Sequence, residues 1–444
     1  MAEAASQTSE TSIAHSGIRA VLRNADFRWL WLSQVFSQTA GNMVTFVLIL
    51  ELYARTGSSF LTSILVVLTV LPTILFSSLA GIYADTFNRK YLLVTSNLVR
   101  SVLVVVLSIL PTTPLLFCIF AFLLSAVSQF FGPAQSSAIP RLVRREELFS
   151  ANTLFMFTTY ASVLFGYTLA APALHFLGEV RTASILVVAF TGSAFLNIRL
   201  PFFRDHLERQ FGRSYLERAF GNLLSDIRKG LFFIRSSRQV LLLLLVVSLL
   251  FAFERALVGL LPNLATHVLG FNVDEIGYYL IAPAGVGAIC ASIFGRRLAQ
   301  RIATFSLMLV GLLLAGIVLL PFPLVPFVKT MSGWHDKIVL FVALISFCSG
   351  VASIFVIVAG QTLLHELTPA ETHGRAFGTL IASMNLIGLP LILVIGLLTD
   401  IVPLLTLIFV LGIVLTAAGL GAILFSRRPD PSMHDPRAVF PPVG

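Results

Sequence analysis

Long apolar runs without a charged residue dominate the chain. They fall at 29–50, 56–84, 101–140, 148–178, 182–198, 256–273, 276–295, 302–328, 338–365, 376–399 and 401–426. A helix that crosses a bilayer takes about 20 apolar residues, so nearly every run is long enough for one crossing. The 101–140 run is too long for a single helix, and Pro111 and Pro114 split it, because proline cannot continue a helix. A further segment, 239–262, is interrupted only by Glu254 and Arg255. The pattern predicts an all-α membrane protein with twelve spanning helices, near 27–52, 60–84, 90–110, 115–138, 148–174, 182–201, 239–262, 275–295, 302–321, 337–365, 373–398 and 402–425. Composition agrees. The chain is 57% hydrophobic and 11% charged, against about 45–50% and 25% in soluble domains, and its mean hydropathy is +0.92. A soluble enzyme, a DNA-binding protein and a disordered chain are thereby excluded. The net charge of +9, which in a soluble chain points to nucleic acid, here reflects a bias in the loops.

Lys and Arg prefer the cytoplasmic loops. With both termini in the cytoplasm, 23 of the 30 basic residues fall on the inner side. Arg55, Arg181, Lys329 and Lys337 fall outside, and Arg100, Arg199 and Arg255 lie within or at the edge of helices. This asymmetry sets the expected topology. Residues 1–17 are rich in Ser, Thr, Ala and Gln and lack the short apolar core of a signal peptide. They belong to a tail, 1–26, read as disordered and cytoplasmic. A six-helix bundle is expected over 27–202 and a second over 239–426, with a cytoplasmic tail at 427–444. Between the bundles, 203–238 is the longest polar stretch. Within it Leu216, Phe220, Leu223, Ile227 and Leu231 recur at helical spacing, which suits an amphipathic helix on the membrane surface or a solvated linker helix. Gln135/Gln361 and Leu154/Leu380 share one offset of 226 residues, in keeping with a six-plus-six parallel repeat.

Cys118, Cys290 and Cys348 each sit in an apolar run and form no metal-binding spacing, so they read as small core residues. The eight histidines are scattered and form no ligand motif, and no metal or other cofactor is expected. The sequence has no phosphate-binding G-x-x-x-x-G-K-[ST] run and no constellation of catalytic residues. An enzyme is not expected, and any transport would draw on an ion gradient or on the gradient of the substrate.

The most specific motif is GIYADTFNRK, residues 81–90, between the second and third predicted helices. It resembles motif A of the major facilitator superfamily, G-x-x-x-D-x-x-x-R-[RK], with Gly81, Asp85, Arg89 and Lys90 in place. The resemblance implies a loop that latches the two halves on the cytoplasmic side. Gly81 would permit close helix approach. Asp85 would accept hydrogen bonds from a helix N-terminus. Arg89 and Lys90 would anchor at anionic headgroups or pair with carboxylates. The stretches FRWLWLSQ (27–34), ELYARTGSS (51–59), FFGPAQSSAIPRLVRREELFSANTLF (130–155) and DIRKGLFFIRSSRQVLLLL (226–244) resemble the third drug:proton antiporter group of that superfamily, with macrolide-efflux-like and siderophore-export-like members. They also resemble lysophospholipid transporters. Two features depart from related antiporters. Tyr167 stands where proline would follow Gly166, and the fourth predicted helix, 115–138, has no arginine.

Ionisable residues within spans are candidate functional sites, because each costs about 2.5–3.5 kcal/mol at a helix centre. Glu254 and Arg255 lie deep in the seventh predicted helix, which lines the central cavity in the resembled family. Adjacent residues diverge by about 100° on a helix, so these two do not pair with each other. Arg100, in the third helix, reads as a structural charge bonded to the second or fourth. The first helix carries a polar face of Ser33, Gln34, Ser37, Gln38, Gly41, Asn42 and Thr45; Gln34, Gln38 and Asn42 are the candidate substrate contacts. Asn385, Tyr278 and Tyr279 are weaker candidates, and Glu51 suits the outer interface.

The resemblance implies a multi-pass transporter of a bacterial inner membrane, a monomer without nucleic-acid partners. It would export an apolar or amphipathic small molecule by alternating access, two halves rocking about a central site, with protons or another ion as the coupling partner. A lipid transporter or flippase, with Arg255 holding a phosphate headgroup, is the alternative. A non-transporting membrane sensor is a third.

Overall fold

The computed structural model describes residues 18–110, 113–203, 238–272, 275–299, 302–368 and 373–426. The tail before residue 18, the linker over 204–237 with its expected amphipathic helix, and the tail from 427 lie outside the described residues. Every regular element among the described residues is helical. In chain order they are α1 (Ile18–Arg23), α2 (Ala25–Thr56), α3 (Ser59–Thr86), α4 (Arg89–Ile109), α5 (Pro114–Leu142), α6 (Leu148–Ile198), α7 (Arg238–Asn263), α8 (Ala282–Ala299), α9 (Thr304–Ile317), α10 (Val325–Lys329), α11 (Trp334–Leu367), α12 (His373–Leu398) and α13 (Leu404–Ser426). Wider turns of π geometry, Leu264–Leu269 and Gly277–Ile281, extend α7 and precede α8.

Among the described residues, eleven helical stretches are long and apolar enough to cross a membrane. One of them, Arg145–Ile198, is 54 residues long, more than two crossings' worth of chain. It breaks at Gly178, whose φ of 76° and ψ of 174° suit only glycine. Counted as two helices, it brings the total to the twelve that the sequence predicts.

Local sequence explains the ends. Asn24 caps α2: its side-chain oxygen accepts from the backbone N–H of Asp26 at 3.0 Å and of Phe27 at 3.2 Å, satisfying donors that a helix start leaves open. Asn88 caps α4 in the same way, accepting from the N–H of Lys90 at 3.0 Å. Thr113 does so for α5, with Pro114 in the first turn, where its missing N–H costs nothing. Residues 18–23, grouped with the tail on composition, are helical because Val21 and Leu22 pack into an apolar cluster with Phe27, Leu30, Leu93, Phe131 and Ile139. The Asn24 amide ties this end to the Leu142 carbonyl.

Contacts divide the chain into two compact units. The first holds residues up to Leu48 and those from Leu71 to the linker. The second holds Ile49–Val70 with the chain beyond the linker. In the first, α4 packs on α5 and α6. In the second, α7 packs on α12, and α11 packs on α8 and α9. The hairpin tip Ile49–Val70 is tied into the second unit by polar contacts. Thr62 Oγ1 donates to the Gly259 carbonyl at 2.8 Å, Asn263 Nδ2 to Ser59 Oγ at 2.7 Å, and Tyr53 Oη meets His267 Nδ1 at 3.0 Å. Gln135 lies seven residues before the end of α5 and Gln361 six before the end of α11.

Candidate functional site

In the first unit the polar face of α2 divides in two. Ser33, Gln34 and Ser37 are buried and committed to neighbours. Gln34 Nε2 donates to the Phe155 carbonyl at 3.1 Å and to Thr159 Oγ1 at 3.0 Å on α6. The Gln34 amide nitrogen thus joins α2 to α6, while its Oε1 is buried without a hydrogen-bond partner among the described residues. Gln38, Gly41, Asn42 and Thr45 are half-buried. Asn42 Nδ2 and Thr45 Oγ1 turn back on their own helix, to the carbonyls of Gln38 and Gly41, each at 2.9 Å. This stripe keeps spare hydrogen-bonding capacity, as does the buried Gln34 Oε1.

Arg100 is 4% exposed. Its Nη1 donates to Ser37 Oγ at 2.8 Å and to Asn97 Oδ1 at 3.4 Å. The guanidinium lies 4.8 Å from the centre of the Phe131 ring and 5.8 Å from that of Phe190. A cation over aromatic faces is stabilised by their quadrupoles, and here the rings stand where a carboxylate would be expected. Ser37 also donates to Asn97 Oδ1 at 2.7 Å, Asn97 Nδ2 to Ser193 Oγ at 2.9 Å, and Ser193 meets Ser33 at 2.7 Å. The contacts of Arg100 are to α2, to α6, to Asn97 of its own helix and to Phe131 of α5, the fourth predicted helix.

The motif over 81–90 spans the end of α3 and the start of α4. The side chain of Asp85 lies outside the described residues. A Cβ added at Gly81 would meet nothing within 4 Å, so close helix approach does not explain this glycine. Arg89 Nε donates to Ser137 Oγ at 2.9 Å, and Lys90 Nζ to the Leu200 carbonyl at 2.8 Å. Lys90 thus sits at the C-terminal end of α6, where open carbonyls favour a cation, rather than reaching for a headgroup. Close approach occurs elsewhere. A Cβ at Gly166 would lie 2.7 Å from the Asn42 Cβ and 2.8 Å from the Thr39 carbonyl oxygen, so α6 passes α2 with no room for a side chain. Tyr167, in place of the proline of related antiporters, stacks on Phe46 at 5.1 Å.

In the second unit Phe251, Glu254, Arg255, Leu257 and Val258 are half-buried, while Ala252, Phe253, Ala256, Gly259 and Leu260 are buried. Phe251, Glu254, Arg255 and Val258 recur at i, i+3, i+4 and i+7, a stripe along the helix that Leu257 flanks. The Glu254 carboxylate accepts from the hydroxyl of Ser353 on α11, and Ser353 Oγ also approaches the Ser349 carbonyl at 2.9 Å. The Arg255 guanidinium lies over the Phe251 ring, 5.1 Å from its centre. Ser353 escaped the sequence reading, because one serine in an apolar helix has no periodic signature. Asn385 is buried and bonded to the Ile381 carbonyl of its own helix at 2.8 Å. Tyr278 is exposed, and Tyr279 packs on Phe271 at 5.1 Å. Glu51 pairs with Arg55 at 3.3 Å. The three cysteines are free and half-buried, and no metal-binding cluster occurs among the described residues.

Residues 30–389 match the family model of the Major Facilitator Superfamily. The chain belongs to that superfamily. It is similar to the uncharacterized MFS-type transporter YkuC of Bacillus subtilis (strain 168), 25% identical over 299 residues, which cover 65% of this chain and 68% of the relative. Among solved structures it resembles a POT family transporter in complex with 5-aminolevulinic acid, with a TM-score of 0.67, 14% identity, and coverage of 90% and 96% of the two chains. It also resembles a bacterial homologue of the human lysosomal transporter Spinster, with a TM-score of 0.66, 13% identity, and coverage of 91% and 97%. At these identities the structures show the fold: a multi-pass, all-helical membrane protein of the transporter superfamily.

Proposed function

We propose that this member of the superfamily is a secondary active exporter of an apolar or amphipathic small molecule in a bacterial inner membrane, coupled to protons through Glu254. Access to its site alternates between the two membrane faces. The superfamily membership supports secondary transport, and the resemblance of the 27–34, 51–59, 130–155 and 226–244 stretches to drug:proton antiporters supports efflux. The observation that carries proton coupling is the position of Glu254. Its carboxylate lies near the middle of a long spanning helix, on a half-buried stripe, bonded to the neutral hydroxyl of Ser353 and to no cation within ion-pair distance among the described residues. Ionisable groups at such depth mark ion and substrate pathways. A hydroxyl partner suits both protonation states, since it donates to a carboxylate and accepts from a carboxylic acid. Gln38 and Asn42 supply polar contacts to the substrate. Asp85, with Arg89 and Lys90, forms the cytoplasmic latch.

The experiment is a proteoliposome assay with and without an imposed pH gradient. Glu254→Gln mimics the protonated side chain and cannot cycle. The expected outcome is loss of gradient-driven transport with substrate binding retained. Gradient-driven transport by Glu254→Gln at the wild-type rate would remove Glu254 from the mechanism.

A further inference from the structure

Arg100 carries a charge into the middle of the first unit. It stands roughly 16 Å along α4 from the helix start at Arg89, and it is buried. Arginine is charged at neutral pH, and a buried charge is costly unless it is paired and hydrogen-bonded. The carboxylates among this unit's described residues stand elsewhere. Asp26 lies at the start of α2 and Asp85 at the end of α3. Glu146 and Glu147 lie in the turn before α6, and Glu179 borders the break at Gly178.

The guanidinium is only partly spent. Nη1 serves Ser37 Oγ and Asn97 Oδ1. Nε is buried with no acceptor among the described residues, and Nη2 makes no hydrogen bond to them. Nε–H and one Nη2–H point the same way, so together they form the paired edge with which arginine grips an anion in two parallel bonds. The Phe131 and Phe190 rings favour the cation, but a ring face offers that edge no lone pair in its own plane.

Further unspent groups adjoin this network. Gln34 Oε1, Gln135 Nε2 and both polar atoms of the Asn197 amide are buried without partners among the described residues. Gln34 lies about one turn from Ser37, Gln135 from Phe131 and Asn197 from Ser193. Each is displaced toward the end of the bundle where Arg89 meets Ser137, Lys90 meets the Leu200 carbonyl and Asn24 meets the Leu142 carbonyl. Buried polar groups of this kind are completed by internal water. They mark a polar route from a basic end of the bundle to Arg100, and basic surfaces concentrate anions.

We propose that the Nε–Nη2 edge of Arg100 holds a small monovalent anion, of chloride's size and charge, as the missing counter-ion of the first unit. The anion accepts two charge-assisted bonds and neutralises a guanidinium that α2, α4, α5 and α6 enclose. Nε is sealed from solvent, which suits a monatomic ion rather than a bulky organic anion. Such an ion is a fixed part of the bundle, and the proposal does not depend on what the protein transports.

The test is the thermal unfolding midpoint of the purified full-length protein in an uncharged detergent, with sodium gluconate replaced stepwise by sodium chloride at constant ionic strength. A ligand that binds the folded state alone raises the midpoint in a saturable way. Chloride at roughly ten times its dissociation constant should raise it by about 2 °C. Bromide should act in the same way. Arg100→Gln should abolish the response. Asn97→Asp places a carboxylate beside Nη1, and this built-in counter-ion should weaken the apparent chloride affinity at least about tenfold. Equal midpoints in chloride and gluconate for the wild-type protein overturn the proposal. So does a chloride response that survives in Arg100→Gln, because a salt effect without a site is the same in both proteins. If Arg100→Gln does not fold, Asn97→Asp decides: an undiminished chloride response there overturns the proposal, since a purely structural Arg100 would leave that response untouched.

Discussion

Ser37 shows how much of the first unit rests on single hydroxyl groups. It accepts from Arg100 and donates to Asn97, joining α2 to a guanidinium buried among the rings of Phe131 and Phe190. In Ser37→Ala the Arg100 Nη1 keeps only its longer contact to Asn97, at 3.4 Å. A buried donor left short of a partner costs about 1–3 kcal/mol. Ser37→Ala should therefore lower the thermal unfolding midpoint in a fixed detergent, and Ser37→Thr, which keeps the hydroxyl, should recover part of the loss. An unchanged midpoint in Ser37→Ala would separate Arg100 from α2. The sequence marked Arg100 because a charge in a span is costly, but it could not name the partner. Ser33, Ser37 and Ser101 look alike in a sequence, and helical spacing says which residues share a face without saying what that face meets. The hydrogen bonds of the Gln34 amide nitrogen to α6 were not legible for the same reason, since a polar stripe directed at a neighbouring helix reads like one directed at water.

At the scale of elements the helices were legible because lipid leaves the backbone no other way to satisfy its hydrogen bonds, so each crossing needs its own long apolar run. The break inside α6 was legible too, as the gap between 174 and 182, although its cause is the single backbone conformation of Gly178. The separation between helices was not legible, because it depends on which glycine faces which neighbour. Gly81 and Gly166 make the contrast. A Cβ at Gly81 meets open space, whereas at Gly166 it would press on Asn42, the Thr39 carbonyl and the backbone nitrogen of Met43. Those are mostly backbone atoms that cannot swing aside, and overpacking of this kind costs about 1–3 kcal/mol. Gly166→Ala should lower the unfolding midpoint, while Gly81→Ala, with its added methyl in open space, should leave it nearly unchanged. Equal shifts in the two variants would contradict the close passage of α6 by α2. A functional loss in Gly81→Ala without loss of stability would point to a conformation in which that face is covered.

For the whole molecule, twelve crossings would put both termini on one side of the membrane, and the charge of the loops predicts which side. With the termini inside, 23 basic residues face the cytoplasm and four face outward. Lys and Arg resist transfer across the membrane during insertion, so the opposite orientation would have to carry most of these charges outward. Residues 81–90, proposed above as a latch, would then lie inside. Asp85→Asn should insert normally yet transport more slowly, because the neutral amide forfeits a charge-assisted bond about twice as strong as a neutral one; full wild-type rates in purified Asp85→Asn protein would argue against the latch. Orientation itself has a direct test in a variant whose three cysteines are replaced by serine. Arg181, just beyond the Gly178 break, and Arg144, at the start of the turn between α5 and α6, are both exposed and lie at opposite ends of the first half of α6. A membrane-impermeant maleimide added to intact cells should label Arg181→Cys at once and Arg144→Cys only after the membrane is opened. The reverse pattern would invert the molecule. It would also reverse the sense of the proton coupling proposed at Glu254, because protons that enter the cell would then meet the site from the side now called inner.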